Sequence, residues 1–298
     1  MPGPSNPRHE HVLVIANPVA GRGRGEATAR ALAQALGRER IVCDLYFTRA
    51  RGDALQRAAE LEPDIDLVVS IGGDGTFSEV LSGLERRDLD VAVLPMGTAN
   101  VLALDWKIPR DVAGCVTMIL QRRVQLLDTG MVNGRTLSFL VCGVGFDAAV
   151  VAELEKRRRG PITKRDWFTA GWRAFKSWRP PQLSVEIDGA PFPLDCGMVL
   201  VSNVVHYAGF DVLQRDRKLD DGLFEVYMFA GGSRTSLVRH GIRGFFGRFP
   251  SGRVSMRRAR RVVVRAPEPV PFQVDGDLCG VTPFEFVVGS QPFRLLVP

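Results

Sequence analysis

The sequence predicts an α/β protein with two domains. These are a Rossmann-like parallel α/β domain over residues 1–128 and an antiparallel β-rich domain over residues 129–298. In the first part of the chain, short apolar runs alternate with amphipathic segments, which is typical of βαβ units. From about Thr129 onward, strand-like segments are separated by Gly, Pro and Asp, which favours antiparallel pairing. A chain of 298 residues is long enough for two domains of ordinary size.

Strands and helices are predicted to alternate through the first domain. The third predicted helix carries Thr76 followed by Glu79, the spacing of a capping box, so Thr76 is expected to be its N-cap. In the second domain two helices are expected, near 147–158 and 233–246. The first-domain strands are predicted over 11–16, 41–47, 66–71 and 91–95, and its helices over 26–37, 52–62 and 76–87.

Composition narrows the class of protein. The net charge of +6 favours anionic partners such as nucleotides, nucleic acid or acidic membrane surfaces. Five scattered cysteines without CxxC spacing predict free, buried thiols in a reducing compartment rather than a zinc site or a disulfide framework. The N-terminal residues have no apolar core, so no signal peptide is expected. The longest largely apolar run, 137–146, is too short to span a bilayer, so any membrane contact is expected to be peripheral.

A glycine-rich turn with an acidic residue lies between a predicted strand and helix. Gly72, Gly73 and Gly75 allow close backbone approach, and free N–H groups at a helix start attract anions. The segment is neither a P-loop nor a GxGxxG motif, and it has no lysine to neutralise phosphate. Asp74 fits if Mg²⁺ lies between its carboxylate and phosphate oxygens. The alternative is a tight turn in which Asp74 only caps the chain.

Two further turns follow predicted strands of the same sheet. Gly97 and Thr98 follow one strand, and Asn17 follows the first strand, before glycines interleaved with Arg22 and Arg24. Because ligands bind at the carboxyl edge of open α/β sheets, three such turns favour a nucleotide site.

These turns and several later blocks resemble the diacylglycerol kinase catalytic family. That family includes soluble bacterial lipid kinases and is related to sphingosine and ceramide kinases. The resemblance covers nearly the whole chain, although GGDGT alone also occurs in NAD kinases. The blocks are NPVAG (17–21), IGGDGTFSEVLSGL (71–84), PMGTANVLA (95–103), GVGFDAAV (143–150), VSNVVHYAGF (201–210), KLDDGLFEVYMF (218–229) and QVDGD (273–277).

The resemblance implies an active site in a cleft between the domains and a role for each matching residue. Asp275 is expected to be the general base, with Asp277 beside it. From the residues alone, Asp275-Gly276 is more typical of a plain hairpin turn. A magnesium network is expected to involve Asp74, Asp221 and Asp277. ATP is expected to bind through Asn17, Gly72, Gly73, Gly75 and Thr76, with Gly97, Thr98 and Arg22 nearby.

The chain departs from the family pattern at three places. Asp277 replaces the usual glutamate, which shortens the carboxylate's reach. Val101 stands where many bacterial members have aspartate, which resembles the sphingosine-type branch. The segment HYAGF (206–210) replaces a glycine-rich version and is expected to reshape the lipid entrance.

Other motifs have two readings. GVGFDA (143–148) mimics a dinucleotide fingerprint with Asp166 about 20 residues on, but no second βαβ strand follows, so this reading is disfavoured. The segment 233–265 contains ten arginines and no acidic residue. It favours about equally contact with an anionic membrane and a helix whose Phe side chains enter the core. The basic segment 156–165 is expected to be a solvated loop.

The sequence therefore predicts a cytoplasmic, peripherally membrane-associated, ATP- and Mg²⁺-dependent lipid kinase. The favoured acceptor is the hydroxyl of diacylglycerol. One alternative is an NAD kinase-like phosphotransferase, and another is a non-catalytic protein that binds nucleotides or nucleic acid. Nucleic acid is not expected as a partner, and homodimerisation stays open.

Overall fold

The computed structural model describes residues 9–157, 163–207, 210–211, 220–245 and 253–298. The chain forms two compact units. The first comprises the chain up to Leu127 together with Gln291–Pro298, and the second comprises Asp128–Ser290.

The first unit alternates strands and helices, as its sequence pattern predicts. Its helix α2 buries Ala29, Leu32 and Leu36, which share one face at helical spacing. The elements are β1 (His11–Ala16), α1 (Ala20–Gly23), α2 (Gly25–Arg38), β2 (Val42–Phe47), α3 (Asp53–Ala59), β3 (Leu67–Gly72), α4 (Asp74–Gly83), β4 (Asp90–Pro95), α5 (Val101–Asp105), α6 (Val112–Gln121), β5 (Arg123–Leu127) and β19 (Phe293–Val297).

The strands of the first unit form one sheet in the order β2-β1-β3-β4-β19-β5. Strands β1 to β4 pair in parallel, which confirms the predicted Rossmann-like α/β arrangement. Every residue of β3 and β4 is buried, because helices cover both faces of a central parallel sheet. The carboxyl ends of β1, β3 and β4 therefore lie side by side at one edge.

The last strand of the chain belongs to the first unit. From the sequence, residues 129–298 were predicted to form the second domain. This prediction is wrong for the last strand, β19. β19 pairs in parallel with β4 and antiparallel with β5. The side chains of Phe293, Leu295 and Leu296 are fully buried. The strand is therefore part of the first unit's core, between β4 and β5.

Phe293→Ala is expected to lower the free energy of unfolding by about 3–5 kcal/mol, because the ring is fully buried and its removal leaves a cavity. The Arg87 guanidinium lies 3.8 Å from the ring centroid and loses that contact. Urea denaturation followed by circular dichroism measures the change. Phe168→Ala is the control, since Phe168 is 78% exposed and its loss is expected to change stability by no more than about 0.5 kcal/mol. Equal stability of the two variants would contradict the placement of β19.

The second unit is rich in antiparallel strands, as predicted. The helices expected near 147–158 and 233–246 are present as α7 and α9. Its elements are β6 (Gly130–Val132), β7 (Thr136–Ser138), β8 (Val141–Gly145), α7 (Phe146–Glu155), α8 (Lys164–Ser177), β9 (Leu183–Ile187), β10 (Ala190–Ser202), β11 (His206–Tyr207), β12 (Phe210–Asp211), β13 (Phe224–Ala230), α9 (Arg234–Phe245), β14 (Val254–Ala259), β15 (Arg261–Arg265), β16 (Pro271–Val274), β17 (Asp277–Val281) and β18 (Phe284–Val288).

Most of these strands form one extended antiparallel sheet in the order β17-β16-β8-β10-β9-β15-β18-β6-β7, with β13 joined to β10 and β14. An apolar cluster of this unit includes Phe224, Phe284 and Phe286, all fully buried. The rings of Phe224 and Phe286 lie 4.6 Å apart. Gly130 makes room for Phe286, because a Cβ at Gly130 would lie 2.1 Å from that ring.

Three local expectations are wrong. Helix α4 begins at Asp74 rather than after Thr76, and its N-cap is Gly73 without a side-chain hydrogen bond, so the capping box of Thr76 and Glu79 does not form. A capping box does form in α8, between Thr163 and Asp166. Helix α8 itself was not predicted, and its first residues fall in the segment expected to be a loop. The five cysteines are free, but Cys279 is exposed rather than buried.

Some expectations concern residues outside the described part of the chain. These include the middle of the basic segment 156–165, the side chains of HYAGF (206–210) and the aromatic residues after Phe245. Among the helices that are described, none combines the length and apolar character needed to cross a membrane.

Candidate active site

Three turns meet at the carboxyl edge of the first unit's sheet. The Asn17 N–H donates to the Ile71 carbonyl at 2.8 Å, and the Met96 N–H donates to the Gly72 carbonyl at 2.7 Å. The Gly21 N–H donates to the Met96 carbonyl at 3.0 Å. These bonds tie the turns after β1, β3 and β4 to one another, so the structure brings together the predicted nucleotide-binding segments.

The turns approach so closely that glycine is required. A Cβ added to Gly97 would lie 2.6 Å from the Cα of Gly73, which is closer than side chains tolerate. A Cβ at Gly25, the first residue of α2, would lie 2.0 Å from the Asn17 carbonyl oxygen. The result is a backbone surface without side chains at the N-terminus of α4, which suits an anionic ligand.

Asp74 connects two of these turns. Its Oδ2 accepts a hydrogen bond of 3.0 Å from the Val101 N–H, at the start of α5. Asn100, in the left-handed conformation with φ 49°, precedes that helix. The Asn100 side chain accepts from the Gly97 N–H at 2.8 Å and donates to the Gly97 carbonyl at 2.7 Å. Asp74 thus caps the N-terminus of α5 and not that of its own helix, α4. A capping role for Asp74 was the alternative to a magnesium contact in the sequence prediction.

The environment of Asp74 affects its ionisation. Burial raises the pKa of the Asp74 carboxyl, and hydrogen bonds from the backbone N–H groups of Asn100, Val101 and Leu102 oppose that rise. The carboxylate is therefore costly to ionise at this position. Neutralisation by a cation would lower that cost.

The other predicted nucleotide-binding residues lie around this edge with different exposure. Asn17 is half-buried, and its Oδ1 accepts from the Val19 N–H at 3.1 Å. Thr76 is half-buried in the first turn of α4, while Gly75 and Thr98 are exposed. Arg22 is exposed and has φ 64°, a left-handed conformation beside Gly21.

In the second unit, Asp275 lies in a tight turn between β16 and β17. Asp275 has φ 50° and Gly276 has φ 93°, so both central residues are left-handed, as in a type I′ hairpin. The hairpin reading of Asp-Gly is therefore correct. The turn is also more than a connection, because its carboxylate points at a set of hydrogen-bond donors.

Four donors hold the Asp275 carboxylate. Oδ1 accepts from Ser138 Oγ at 2.9 Å, the Leu140 N–H at 3.0 Å and the Val141 N–H at 2.9 Å. Oδ2 accepts from the Phe139 N–H at 3.0 Å. Desolvation nevertheless dominates and raises the pKa of Asp275 to about 6, while these hydrogen bonds oppose the rise. A carboxyl group with this pKa is suited to accept a proton near neutral pH.

A buried amide fixes the turn from behind. Gln273 Oε1 accepts from the Gly276 N–H at 2.7 Å, and its Nε2 donates to Asp147 Oδ2 at 2.7 Å. Asp147 folds over Gly143, where a Cβ would lie 1.9 Å from Asp147 Oδ2. Gly143 and Asp147 of the GVGFDA segment therefore support the Asp275 turn. This structural role agrees with the expectation that the segment is not a dinucleotide fingerprint.

Gln273→Leu is expected to lower the free energy of unfolding by about 1–3 kcal/mol, because the Gly276 N–H and the Asp147 carboxylate each lose a partner. The Gln273 side chain is buried, so water does not replace it. Urea denaturation gives the value. The matched control is Gln56→Leu on the exposed surface of α3, where little change is expected. A negligible effect of Gln273→Leu would show that the amide does not support the turn.

Asp221 lies in an acidic group of the second unit. Its Oδ1 accepts from the Leu223 N–H at 3.1 Å, and its Oδ2 lies 3.9 Å from Arg258 Nη1. Burial raises the pKa of neighbouring Asp128, whose Oδ2 accepts from the Gly222 N–H at 2.7 Å, and the negative charge of Asp221 adds to the rise. Asp277 is half-buried at the start of β17. Within the described residues, no group of three or more His, Cys, Asp or Glu side chains is arranged to hold a metal directly.

Four residues of these three places were not predicted from the sequence. They are Asn100, Asp128, Ser138 and Gln273. Asn100 was visible as part of PMGTAN, and a polar residue in a turn that needs positive φ was the available signal. Gln273 precedes the Asp-Gly turn by two residues, but nothing local indicates that it is buried. Ser138 and Asp128 are distant in sequence from their partners, so only the fold connects them.

Two family models match the chain. The model described as the diacylglycerol kinase catalytic domain matches residues 11–132. The model described as the YegS C-terminal NAD kinase beta sandwich-like domain matches residues 141–297, more than half of the chain.

Individual proteins agree with these matches. A diacylglycerol kinase of Bacillus subtilis is 27% identical over 96% of this chain and 95% of its own length. One of Staphylococcus saprophyticus is 25% identical over 96% and 94%. A crystal structure of a diacylglycerol kinase from Bacillus anthracis has the same fold, with a TM-score of 0.75, 18% identity, and coverage of 99% and 98%. The chain therefore belongs to the family of kinases that joins a diacylglycerol kinase catalytic domain to this C-terminal domain.

Proposed function

We propose that the protein transfers the γ-phosphate of ATP to the hydroxyl of a lipid, with diacylglycerol as the favoured acceptor. The main support for this proposal is the environment of the Asp275 carboxylate. Four hydrogen-bond donors orient it, and burial raises its pKa to about 6. A kinase that phosphorylates an alcohol uses such a group to accept the hydroxyl proton. The names of the relatives support a lipid acceptor.

In this proposal the nucleotide binds at the glycine edge of the first unit. The N-terminus of α4 and the side-chain-free surface at Gly73 and Gly97 receive the phosphates. Asn17, Thr76 and Thr98 supply polar groups around them, and Arg22 supplies a positive charge. Binding here orients the γ-phosphate and requires no covalent chemistry from the protein.

Asp275 then acts on the acceptor. The lipid hydroxyl gives its proton to the Asp275 carboxylate while its oxygen bonds to the γ-phosphorus, and the bond from that phosphorus to the bridging oxygen of ADP breaks. Among the described residues, Oδ2 accepts one hydrogen bond and Oδ1 accepts three. Oδ2 thus keeps more lone-pair capacity and is the better candidate for receiving the proton.

Carboxylate oxygens are the donors that Mg²⁺ prefers, and Mg²⁺ usually keeps several waters. By the family resemblance, Asp74, Asp221 and Asp277 would contact such an ion through its waters. The ion would neutralise charge on the phosphates. Asp74 is prepared for this by its half-buried position and its fixed bond to the Val101 N–H.

The acceptor is tested by a side-by-side assay. The protein is incubated with Mg²⁺ and ATP labelled at the γ-position, together with diacylglycerol, a sphingoid base, NAD or no acceptor. We expect labelled phosphatidic acid to dominate. Labelled NADP as the main product would favour the NAD kinase-like alternative, and ATP binding without transfer to any acceptor would favour a non-catalytic protein.

The pH dependence of kcat/KM for the lipid follows from Asp275. The base must be ionised, so activity is expected to rise with pH and level off above about pH 6, where its pKa lies. Below that value kcat/KM should fall by about tenfold for each pH unit. Initial rates between pH 5 and pH 9, within the range where circular dichroism shows a folded protein, measure the profile. A flat profile across pH 6 would contradict the assignment of the base.

A further inference from the structure

Helix α8 has its large apolar side chains on the outside. Ala170 and Ala174, one turn apart, are buried at 2% exposure each, and the helix contacts α7. Phe168, Trp172 and Phe175 recur at i, i+4 and i+7 on the opposite face. Phe168 is 78% exposed and Trp172 is 53% exposed. Among the described residues of this unit, the buried face of α8 is formed by the alanines, whereas Phe168 and Trp172 extend outward.

The outer aromatic residues are organised among themselves and beside positive charge. The rings of Trp172 and Phe175 are stacked with centroids 6.0 Å apart, and the Lys176 ammonium lies 5.2 Å from the Trp172 ring centroid. From Trp167 to Leu183 the sequence contains Arg173, Lys176 and Arg179 and no acidic residue.

Helix α9 repeats the pattern next to α8. The Arg234 guanidinium donates to the Lys176 carbonyl, which joins the end of α8 to the start of α9. In α9, Leu237 and His240 are buried, while Val238 and Ile242 are 49% and 56% exposed. The helix carries Arg234, Arg239 and Arg243 and no acidic residue.

We infer that the outer face of α8, formed by Phe168, Trp172, Phe175 and Lys176, docks the protein on an anionic lipid bilayer. Exposed aromatic side chains with flanking basic residues on one amphipathic helix suit the boundary between headgroups and acyl chains. The absence of acidic residues from Trp167 to Leu183 makes that surface complementary to anionic headgroups. The choice of a bilayer as partner rests on the proposed lipid kinase function, whereas the docking face itself follows from the structure.

Co-sedimentation with phosphatidylglycerol-rich vesicles tests the docking face. The double variant Phe168→Ser with Trp172→Ser is expected to partition at least about tenfold more weakly than wild type, since it removes two apolar side chains from the bilayer. Lys176→Gln should weaken partitioning by about fivefold on anionic vesicles and change little on neutral phosphatidylcholine vesicles. The control is Val42→Ser, a residue 58% exposed on the edge strand β2 of the first unit, which should bind as wild type does. Equal partitioning of the double variant and wild type would overturn the inference.

Two measurements separate this inference from other outcomes. The aromatic face could instead join two copies of the chain. In that case sedimentation equilibrium would show a dimer for wild type and a monomer for the double variant, and the two would bind vesicles equally. That result would overturn the inference. With a short-chain diacylglycerol presented as monomers in solution, the double variant should keep wild-type turnover and lose it only on vesicles. If wild type binds vesicles but phosphorylates neither form of lipid, the proposed function fails and the docking face stands.

Discussion

Asp275→Asn is expected to lower kcat for lipid phosphorylation by about 10²- to 10⁴-fold, the range that a positioned general base contributes. The amide retains one oxygen for the donors that Oδ1 now satisfies. It cannot accept the proton of the hydroxyl. ATP binding should stay measurable, because the proposed nucleotide-binding residues belong to the first unit and Asp275 belongs to the second. Initial rates with diacylglycerol and equilibrium titration with ATP give the two values.

The fold of this variant should persist. Asn tolerates the left-handed conformation that position 275 requires, with φ 50°. Because burial raises the pKa of Asp275 from 3.8 to about 6, stability is lost as the pH rises between these two values, and the loss is constant at higher pH. A neutral amide avoids that cost, although its NH₂ group would face the Phe139 N–H.

Asp188 provides a matched control for Asp275. Asp188 and Gly189 form another turn with φ 48° and 85°, and Asp188 Oδ1 accepts from the Arg260 and Arg261 N–H groups at 3.0 and 2.8 Å. Asp188→Asn therefore makes the same chemical change in the same kind of turn. It should leave kcat unchanged. Equal activities of Asp275→Asn and wild type would remove Asp275 as the base.

Asp74→Asn is expected to reduce kcat/KM for ATP by about 100-fold, the scale of losing one preorganised electrostatic contact. Asparagine can still accept from the Val101 N–H, so the cap on α5 is kept and the negative charge is lost. If Asp74 holds Mg²⁺ through water, the variant should also need more Mg²⁺ for half-maximal rate. A magnesium titration at fixed ATP measures this shift.

The control for Asp74 is Asp111→Asn. Asp111 is the N-cap of α6 and accepts from the Gly114 N–H at 2.9 Å, so this change also removes a charge and keeps a cap. It should not alter the magnesium dependence. If Asp74→Asn leaves the magnesium dependence unchanged, the proposed metal contact is wrong.

Local sequence patterns predicted the strand-to-helix turns because their chemistry is local. The glycines at 72, 73, 75 and 97 follow buried strands directly, and parallel strands place their carboxyl ends together. The hairpin at Asp275-Gly276 could likewise be predicted from these two residues alone. The proposed catalytic role of Asp275 could not be predicted from those two residues and rests on the family resemblance.

Other features depend on contacts between distant segments. The final strand, Phe293–Val297, is a short, mostly apolar segment that would suit either sheet, so its place beside β4 could not be predicted. Ser138 contacts Asp275, and Gln273 contacts Asp147. Both contacts depend on the pairing of β8 with β16, which joins segments that are distant in sequence. The start of α4 was misplaced because Thr76 and Glu79 match a capping box, while the actual N-cap is Gly73.

The most direct test of the proposed kinase activity is phosphate transfer to a natural lipid mixture. The protein is given ATP labelled at the γ-position, Mg²⁺ and a total lipid extract, and the organic phase is analysed by mass spectrometry. We expect one main labelled product, the phosphate monoester of a lipid alcohol, formed by wild type and Asp188→Asn and at least about 100-fold more slowly by Asp275→Asn. Label found only in inorganic phosphate or in a water-soluble acceptor would contradict it.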